Sequence, residues 1–242
     1  MFKKLLKKAL AYNRYVSDFL KFKRLAALQG NRFPMQWKDR YPCLKDRTST
    51  TGFDRHYVYH TAWAARILAY NKPAMHIDIS SSLFFNTLVS AFLPVTFYDY
   101  RPANVGLSNL LTRAADLCAL PFAHQSIQSL SCMHVVEHVG LGRYGDALDP
   151  EGDLKAISEL KRVLSPQGTL LFVVPIGKPK IMFNAHRIYS HVQIMDHFRE
   201  LHLQEFALIP DEPADGGLLI NPELSMIDKQ TYGCGCYWFV RR

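Results

Sequence analysis

An α/β fold is what this 242-residue sequence predicts. The expected form is a doubly wound, mostly parallel sheet of seven strands. An antiparallel pair closes its C-terminal edge, and a helical extension precedes it. Three observations carry this reading. From about residue 74, short apolar runs of β type alternate with segments of helical period, the order of successive βαβ units. Polar residues recur where those runs end, with Asp78 and Asp99 twenty-one positions apart, and sheets of this kind bind ligands at their strand ends. Charge is segregated: residues 1–47 hold thirteen Lys and Arg against three Asp, a net of +10, so the remainder carries −2 of the total +8. The expected division is a basic amphipathic helix and irregular linker over 1–53, then one α/β domain over 54–242.

The elements follow in order. Phe2, Leu5, Leu6, Ala9, Val16, Phe19 and Leu20 recur at helical spacing, with Lys3, Lys4, Lys7, Lys8 and Arg14 largely between them. Such a helix either lies on an anionic membrane surface or packs on its own domain or a partner protein. No aromatic-interleaved basic pattern accompanies the charge, which argues against nucleic acid. Residues 31–53, with Pro34, Pro42 and Gly52, read as irregular. Residues 54–73 read as a helix stopped by Pro73. Then "MHIDI" reads as a strand, "SLFFNTLVSAFL" as a helix and "VTFYDY" as a strand. "SNLLTRAADL" reads as a helix with a short connection, and "IQSLSCMHVV" contains a strand. "DLKAISELKRVLSPQG" reads as a helix stopped at Gly168, and "TLLFVVPIG" as a strand buried on both faces. "LHLQEFALIP" and "YGCGCYWFV" read as the closing strand pair.

Several classes are excluded. No run approaches the ~20 apolar residues of a membrane span, and Lys7 and Lys8 interrupt any secretory signal. The five cysteines form no CxxC or zinc-ligand spacing; Cys234 and Cys236 are expected as buried thiols of a cytoplasmic protein, peripheral at most on the inner membrane face. No metal cluster is visible, since Glu137 and His138 are adjacent and adjacent residues on a helix diverge. A GxGxxG turn is absent, which argues against a dinucleotide.

The strand ends give the candidate ligand residues. Asp78 is followed by Ser80, Ser81 and Ser82 where nucleotide turns usually carry glycine. Asp99, with Tyr100 beside it, ends the second strand and is placed to accept ribose hydroxyls. Asp116 and Leu117 precede "LPF", where the carboxylate is placed to accept from an exocyclic amine. His134, Glu137 and His138 follow the next strand.

The marks "HIDISSS", "YDYRP", "ADLCALPF", "HVVEHV" and "ELKRVLSPQGTLLFVVPIG" resemble the class I S-adenosylmethionine-dependent methyltransferases, with their Rossmann-like domain, from about Ala74 to the C-terminus. More narrowly, "EHVGLGRYGDALDPEGDLKA" and "FNAHRIYS" resemble the bacterial family called domain of unknown function 268. The resemblance implies S-adenosyl-L-methionine as cofactor, held by Asp78, the three serines, Asp99, Tyr100, Asp116, Leu117 and His134. It also implies a glycan or sugar-nucleotide acceptor, because that family is often encoded among surface-polysaccharide genes. The family turn usually has glycine where Ser80 stands. A sulfonium nucleoside needs no pyrophosphate cradle, so serine serves there at negative φ. For a hydroxyl acceptor His138 is the first choice of base and His186 the second, with Glu137 as neighbour. Arg143, Tyr144, Asp146, Asn184 and Arg187 are expected to hold a polar or anionic acceptor, and Asp54, His56, Tyr57 and His60 to cover the site. Two other readings stay open: an inactive nucleoside-binding member, or a membrane-surface scaffold of a glycan assembly complex.

Overall fold

The structure is a computed structural model that describes residues 2–242, the side chains of Phe2 and Lys4 excepted. The side chains at those two positions of the expected amphipathic pattern therefore lie outside what is described. The chain divides into two units between Phe53 and Asp54.

The first unit is a helix, α1 (Phe2–Leu28), followed by irregular chain with one 3-10 turn at Trp37–Asp39. Trp37 meets the Phe19 ring edge-on at 4.9 Å, and the Arg40 guanidinium lies 4.7 Å from the Trp37 ring centre. Leu5, Leu6, Leu10, Leu20, Phe22 and Leu25 of α1 are exposed.

The second unit begins with α2 (Arg55–Asn71), capped by the Asp54 carboxylate, which accepts from Tyr57 N–H. The sheet strands are β1 (His76–Ile79), β2 (Val95–Asp99), β3 (Leu110–Ala114), β4 (Ile127–Met133) and β5 (Leu164–Ile176). A hairpin of β6 (Lys180–Met182) and β7 (His186–Ile188) forms a separate two-stranded sheet, tied to the end of β5 by the Ile176–Tyr189 bridge. The last sheet strands are β8 (His202–Ile209), β9 (Leu219–Ile220) and β10 (Gly233–Val240). The spatial order is β3-β2-β1-β4-β5-β10-β8-β9. Pairing is parallel from β3 across to β5, and β10 runs antiparallel between β5 and β8. The expected sheet is present, extended by the two-residue β9. The closing pair differs in one respect: β10 inserts between β5 and β8, and only it reverses direction among the long strands.

Helices α3 (Leu83–Val89), α4 (Gly152–Val163), α5 (His191–His197) and α6 (Leu224–Asp228) complete the unit. Two apolar clusters form. One joins Ile157 and Leu160 of α4 to Leu170, Phe172 and Phe198. The other joins Trp63, Ile67 and Leu68 of α2 to Phe85, Val173 and Ile209. Residues of β5 supply both clusters in alternation, as a strand buried on both sides must.

Two local expectations are corrected. Residues 110–114 form a strand, not a helix, because Val95 to Asp99 offer a free parallel edge that pairs with them residue by residue; sheet pairing overrides the helical look of "TRAAD". Helix α4 ends at Val163 rather than at Gly168, because Pro166 disfavours helical geometry in Ser165 and cannot donate to a preceding turn.

One feature of β1 sets up the ligand end of the sheet. His76 is fully buried, with Nδ1 2.8 Å from Ser129 Oγ and Nε2 2.8 Å from Ser131 Oγ. Burial depresses its pKa from 6.5 to about 3. The unfolded chain therefore takes up a proton below the ordinary histidine pKa while the native state does not, so native stability is present above that pKa and falls as pH drops toward the folded value. Between about pH 7 and pH 5 this single residue should cost about 2 kcal/mol. The His76→Asn variant should melt lower at pH 7 but show a shallower fall of Tm over that interval; parallel Tm–pH curves would mean that native His76 is protonated.

Candidate functional site

Strand order reverses between β1 and β4, which opens a crevice at their carboxyl ends. A cavity of about 530 Å³ occupies it, lined among others by Ser80, Ser81, Asp99, Tyr100, Asp116, Leu117, His134 and His138. A second cavity of about 290 Å³ adjoins it, lined by Asp54, His56, Tyr57, His134, Glu137, His138, Arg143, Tyr144, His186 and Tyr232. Tyr57, His134, His138 and Tyr144 belong to both walls.

Asp99 and Asp116 close short turns with one oxygen each. Asp99 Oδ1 accepts from Arg101 N–H at 2.7 Å, and Asp116 Oδ1 accepts from Cys118 N–H at 2.8 Å. Each carboxylate thus keeps lone pairs on its other oxygen for a ligand.

Asp78 has a different place from the one expected. It is fully buried and lines neither cavity. Its carboxylate accepts from Ser81 Oγ at 2.7 Å, from Asn86 Nδ2 at 2.6 Å and from Ser131 Oγ. Burial raises its pKa, opposed by those three hydrogen bonds. It organises the turn instead of touching a ligand. Ser81 Oγ also accepts from Met133 N–H at 3.1 Å, which ties the turn to β4. Ser82 precedes α3 and lines neither cavity.

Ser80 corrects a second expectation. Its φ is +54°, the left-handed conformation of a glycine. The strain is offset locally, because Ser80 N–H donates to Tyr98 O at 2.7 Å and its Oγ donates to the same oxygen at 3.1 Å. His134, at the matching end of β4, is also left-handed, with φ +57°.

The loop after β4 is shaped by Asp146. Its carboxylate accepts from the N–H groups of Gly140 at 2.8 Å, Gly142 at 3.3 Å and Tyr144 at 3.1 Å. Gly140 has φ +80°, and a Cβ there would lie 2.0 Å from the Asp149 carbonyl oxygen, so glycine is required. Asp146 lines the larger cavity but is committed to its loop. Arg187 and Asn184 do not reach the acceptor side. Arg187 is buried, 3.5 Å from the Asp153 carboxylate, and donates to Val139 O at 2.6 Å; the anion it pairs with is internal. Asn184 is exposed and lines neither cavity, because it sits in the turn between β6 and β7.

The imidazoles gather where the cavities meet. His134 stacks on His56 at 5.4 Å and on Tyr57 at 5.5 Å, with His60 edge-on at 5.1 Å. Burial lowers the pKa of His56 and His134 to about 4 and that of His60 to about 3. His138 and His186 are lowered too, again mainly by burial. All five stand neutral near pH 7. His138 Nδ1 is 2.6 Å from Ala185 O and so carries the proton, which leaves Nε2 as acceptor. Glu137 is 1% exposed, and burial pushes its pKa up to about 7. Its Oε1 lies 2.9 Å from His134 Nδ1, while Oε2 is buried without a protein partner, as is His186 Nε2.

Sequence reasoning missed Tyr232, Cys118 and Lys155 in these walls, and Cys234 directly behind His134 at 3.3 Å. Tyr232, Lys155 and Cys234 lie far along the chain from the predicted site residues, whereas Cys118 directly follows Leu117 and carried no polar strand-end signal of its own. The cover from α2 had a signal: His56 and His60 are one helical turn apart, so both fall on one face.

Comparison with known proteins agrees with this architecture. A family model described as "Caenorhabditis protein of unknown function, DUF268" matches residues 122–203, about a third of the chain; its description names Caenorhabditis, in place of the bacterial label expected from the motifs. No curated protein matches. The 1,6-didemethyltoxoflavin-N1-methyltransferase of Burkholderia thailandensis, solved with its acceptor and S-adenosylhomocysteine, aligns over 95% of this chain and 90% of its own, with TM-score 0.53 and 11% identity. The N-methyltransferase NodS of Bradyrhizobium japonicum, solved with S-adenosylhomocysteine, aligns over 76% and 86%, with TM-score 0.53 and 16% identity. The [4+2]-cyclase SpnF aligns over 75% and 79%, with TM-score 0.50 and 12% identity. At such identities the likeness establishes the Rossmann-like fold these proteins share, and a cyclase among them means that the fold alone fixes no reaction.

The serine turn is open to direct test. In Ser80→Gly, relief of left-handed strain and loss of the Oγ bond to Tyr98 O are each about 1 kcal/mol, so stability should change by less than about 1 kcal/mol. Ser80→Val, a β-branched residue in the same conformation, should destabilise by about 2 kcal/mol or more. Urea denaturation distinguishes the two.

Proposed function

We propose that this protein transfers a methyl group from S-adenosyl-L-methionine to a hydroxyl of a polar, sugar-like acceptor. One observation carries the reading. Two carboxylates, Asp99 and Asp116, face one cavity at the reversal point of the sheet, and that cavity meets a polar one at His138. In this reading Asp99 accepts from the ribose hydroxyls, while Asp116 and the backbone beside Leu117 take the base. The sulfonium is its own leaving group, so the protein's task is to align acceptor and methyl and to exclude water. Tyr57 and Tyr144, in both walls, bound the junction where the two would meet. An acceptor hydroxyl loses its proton during transfer. His138 Nε2 is the group to receive it, since Nδ1–H is held by Ala185 O. His186, whose ring centre is 6.3 Å from that of His138, is the second candidate. The smaller cavity is lined by carboxylates, imidazoles and phenols, and Arg143 is the one guanidinium among its lining residues. Many donors and acceptors with little fixed charge suit a hydroxylated ring better than a phosphate-rich one.

Calorimetry with S-adenosylhomocysteine tests the cofactor, and mass spectrometry of hydroxylated acceptors tests the transfer. Asp99→Ala should weaken binding by about 1.5–3 kcal/mol. His138→Ala should leave binding nearly unchanged and lower turnover roughly 10²–10⁴-fold, with the wild-type rate falling below the depressed pKa of His138. No saturable binding at millimolar ligand would overturn the cofactor reading. Binding without turnover on any acceptor would leave a nucleoside-binding protein that does not catalyse.

We also propose that α1 rests on an anionic membrane surface. No helix among the described residues is long and apolar enough to span a membrane. The support is instead the exposed Leu5, Leu6 and Leu10 beside Lys3, Lys7 and Lys8. Vesicles rich in phosphatidylserine should sediment the protein. Replacing those three lysines by glutamate should abolish this, since each contributes about 1 kcal/mol at such a surface. Equal sedimentation of the variant would refute it.

A further inference from the structure

We infer that His56, His134 and Cys234 form a binding site for a zinc-type divalent cation in the wall of the smaller cavity. One ligand atom from each lies within 4.8 Å of the other two, and His134 Nε2 is 3.3 Å from Cys234 Sγ. Ligand atoms around a tetrahedral zinc stand about 3.3–3.6 Å apart, given Zn–N and Zn–S distances of about 2.1 and 2.3 Å. One pair is thus already at coordination spacing, and the widest needs to close by roughly 1 Å. His56 sits on α2, His134 at the end of β4 and Cys234 on β10, so three separately packed elements hold the ligands.

The donor set selects the ion. Two imidazole nitrogens and a thiolate suit a borderline-soft metal and disfavour magnesium or calcium, which take oxygen. The groups around it agree. His134 Nδ1 is 2.9 Å from Glu137 Oε1, the carboxylate–imidazole pairing that orients a metal-bound histidine. Asp54 and Asp211 add negative charge around His56. Glu137 Oε2 and His186 Nε2, both of residues lining this cavity, are buried without a protein partner. Without metal, Cys234 Sγ and His134 Nε2 share one hydrogen-bonding proton. Binding expels that proton to solvent and leaves the thiolate as ligand.

Three protein ligands leave a fourth position. His56 and His134 line the smaller cavity, so the open position faces the cavity that His138 also lines. A cation there takes up a hydroxyl or thiol oxygen or sulfur and eases loss of its proton. The site itself rests on these three residues and not on the methyl-transfer reading.

The test uses the full-length protein, stripped with chelator and reloaded, without cofactor or acceptor. Elemental analysis after gel filtration should find one equivalent of zinc. Cobalt substitution should give a thiolate-to-metal charge-transfer band. Cys234→Ser should remove the band, and His134→Ala and His56→Ala should each abolish retention. Glu137→Gln, which keeps a hydrogen-bond acceptor for His134, should weaken affinity by about 10–100-fold. Circular dichroism establishes that each variant is folded; if Cys234→Ser is not, the wild-type cobalt spectrum and Glu137→Gln decide. No retained metal, a cobalt spectrum without the thiolate band, or undiminished retention in folded Cys234→Ser would each overturn the site. Every readout is taken without S-adenosylhomocysteine, and its binding is measured on the wild-type protein, so the two readings fail separately.

Discussion

The buried carboxylate of Asp78 is the constraint on which the ligand end of the sheet depends. It has no solvent contact, and an uncompensated carboxylate there would cost several kcal/mol. Its three donors come from three places: Ser81 in the turn, Asn86 in α3 and Ser131 in β4. Satisfying one charge therefore fixes turn, helix and neighbouring strand together. The chain continues inward, since Ser131 also meets His76, which meets Ser129. Two strands are thus joined by side chains as well as by their ladder. The left-handed Ser80 follows from this arrangement, because the turn must bring Ser81 back over Asp78 within three residues.

The second constraint is the clustering of imidazoles. Five histidines with Glu137 form a polar junction in which His60, His134 and Glu137 are buried and His56, His138 and His186 half-buried. Burial keeps the rings neutral, and neutral rings both accept protons and bind metals. The same burial raises the pKa of the Glu137 carboxyl to about 7, so it exchanges its proton near neutral pH. Glu137 is in reach of His134 at 2.9 Å and of His138 at 3.9 Å. One carboxyl group thus borders the ring that faces Cys234 and the ring proposed as base.

The candidate site was legible where it follows strand ends. Asp99, Asp116, Leu117 and His138 line the cavities as their spacing implied, because the order of runs along the chain is the order of strand ends in a parallel sheet. Asp78 and Arg187 carried the same kind of signal but are structural. A charge at a strand end reads alike in sequence whether it faces a cavity or lies beneath it, and only packing separates the two. Asn184 failed for a related reason. The hairpin β6–β7 is a local excursion, and sequence did not indicate which of its residues turn inward.

By itself the sequence determined the α/β class, the positions of most strands and helices, and the segregation of positive charge into residues 1–47. These depend on local periodicity and composition, which are properties of contiguous residues. The tertiary structure decided that residues 110–114 pair as a strand, that β10 inserts between β5 and β8, and that Ser80 takes a glycine's conformation. It also decided that His56, His134 and Cys234, spread over nearly 180 positions, meet at one point. Those outcomes depend on which distant groups compete for a free sheet edge, a buried charge or a shared cavity wall. Contacts of that kind have no period along the chain, so no local pattern announces them.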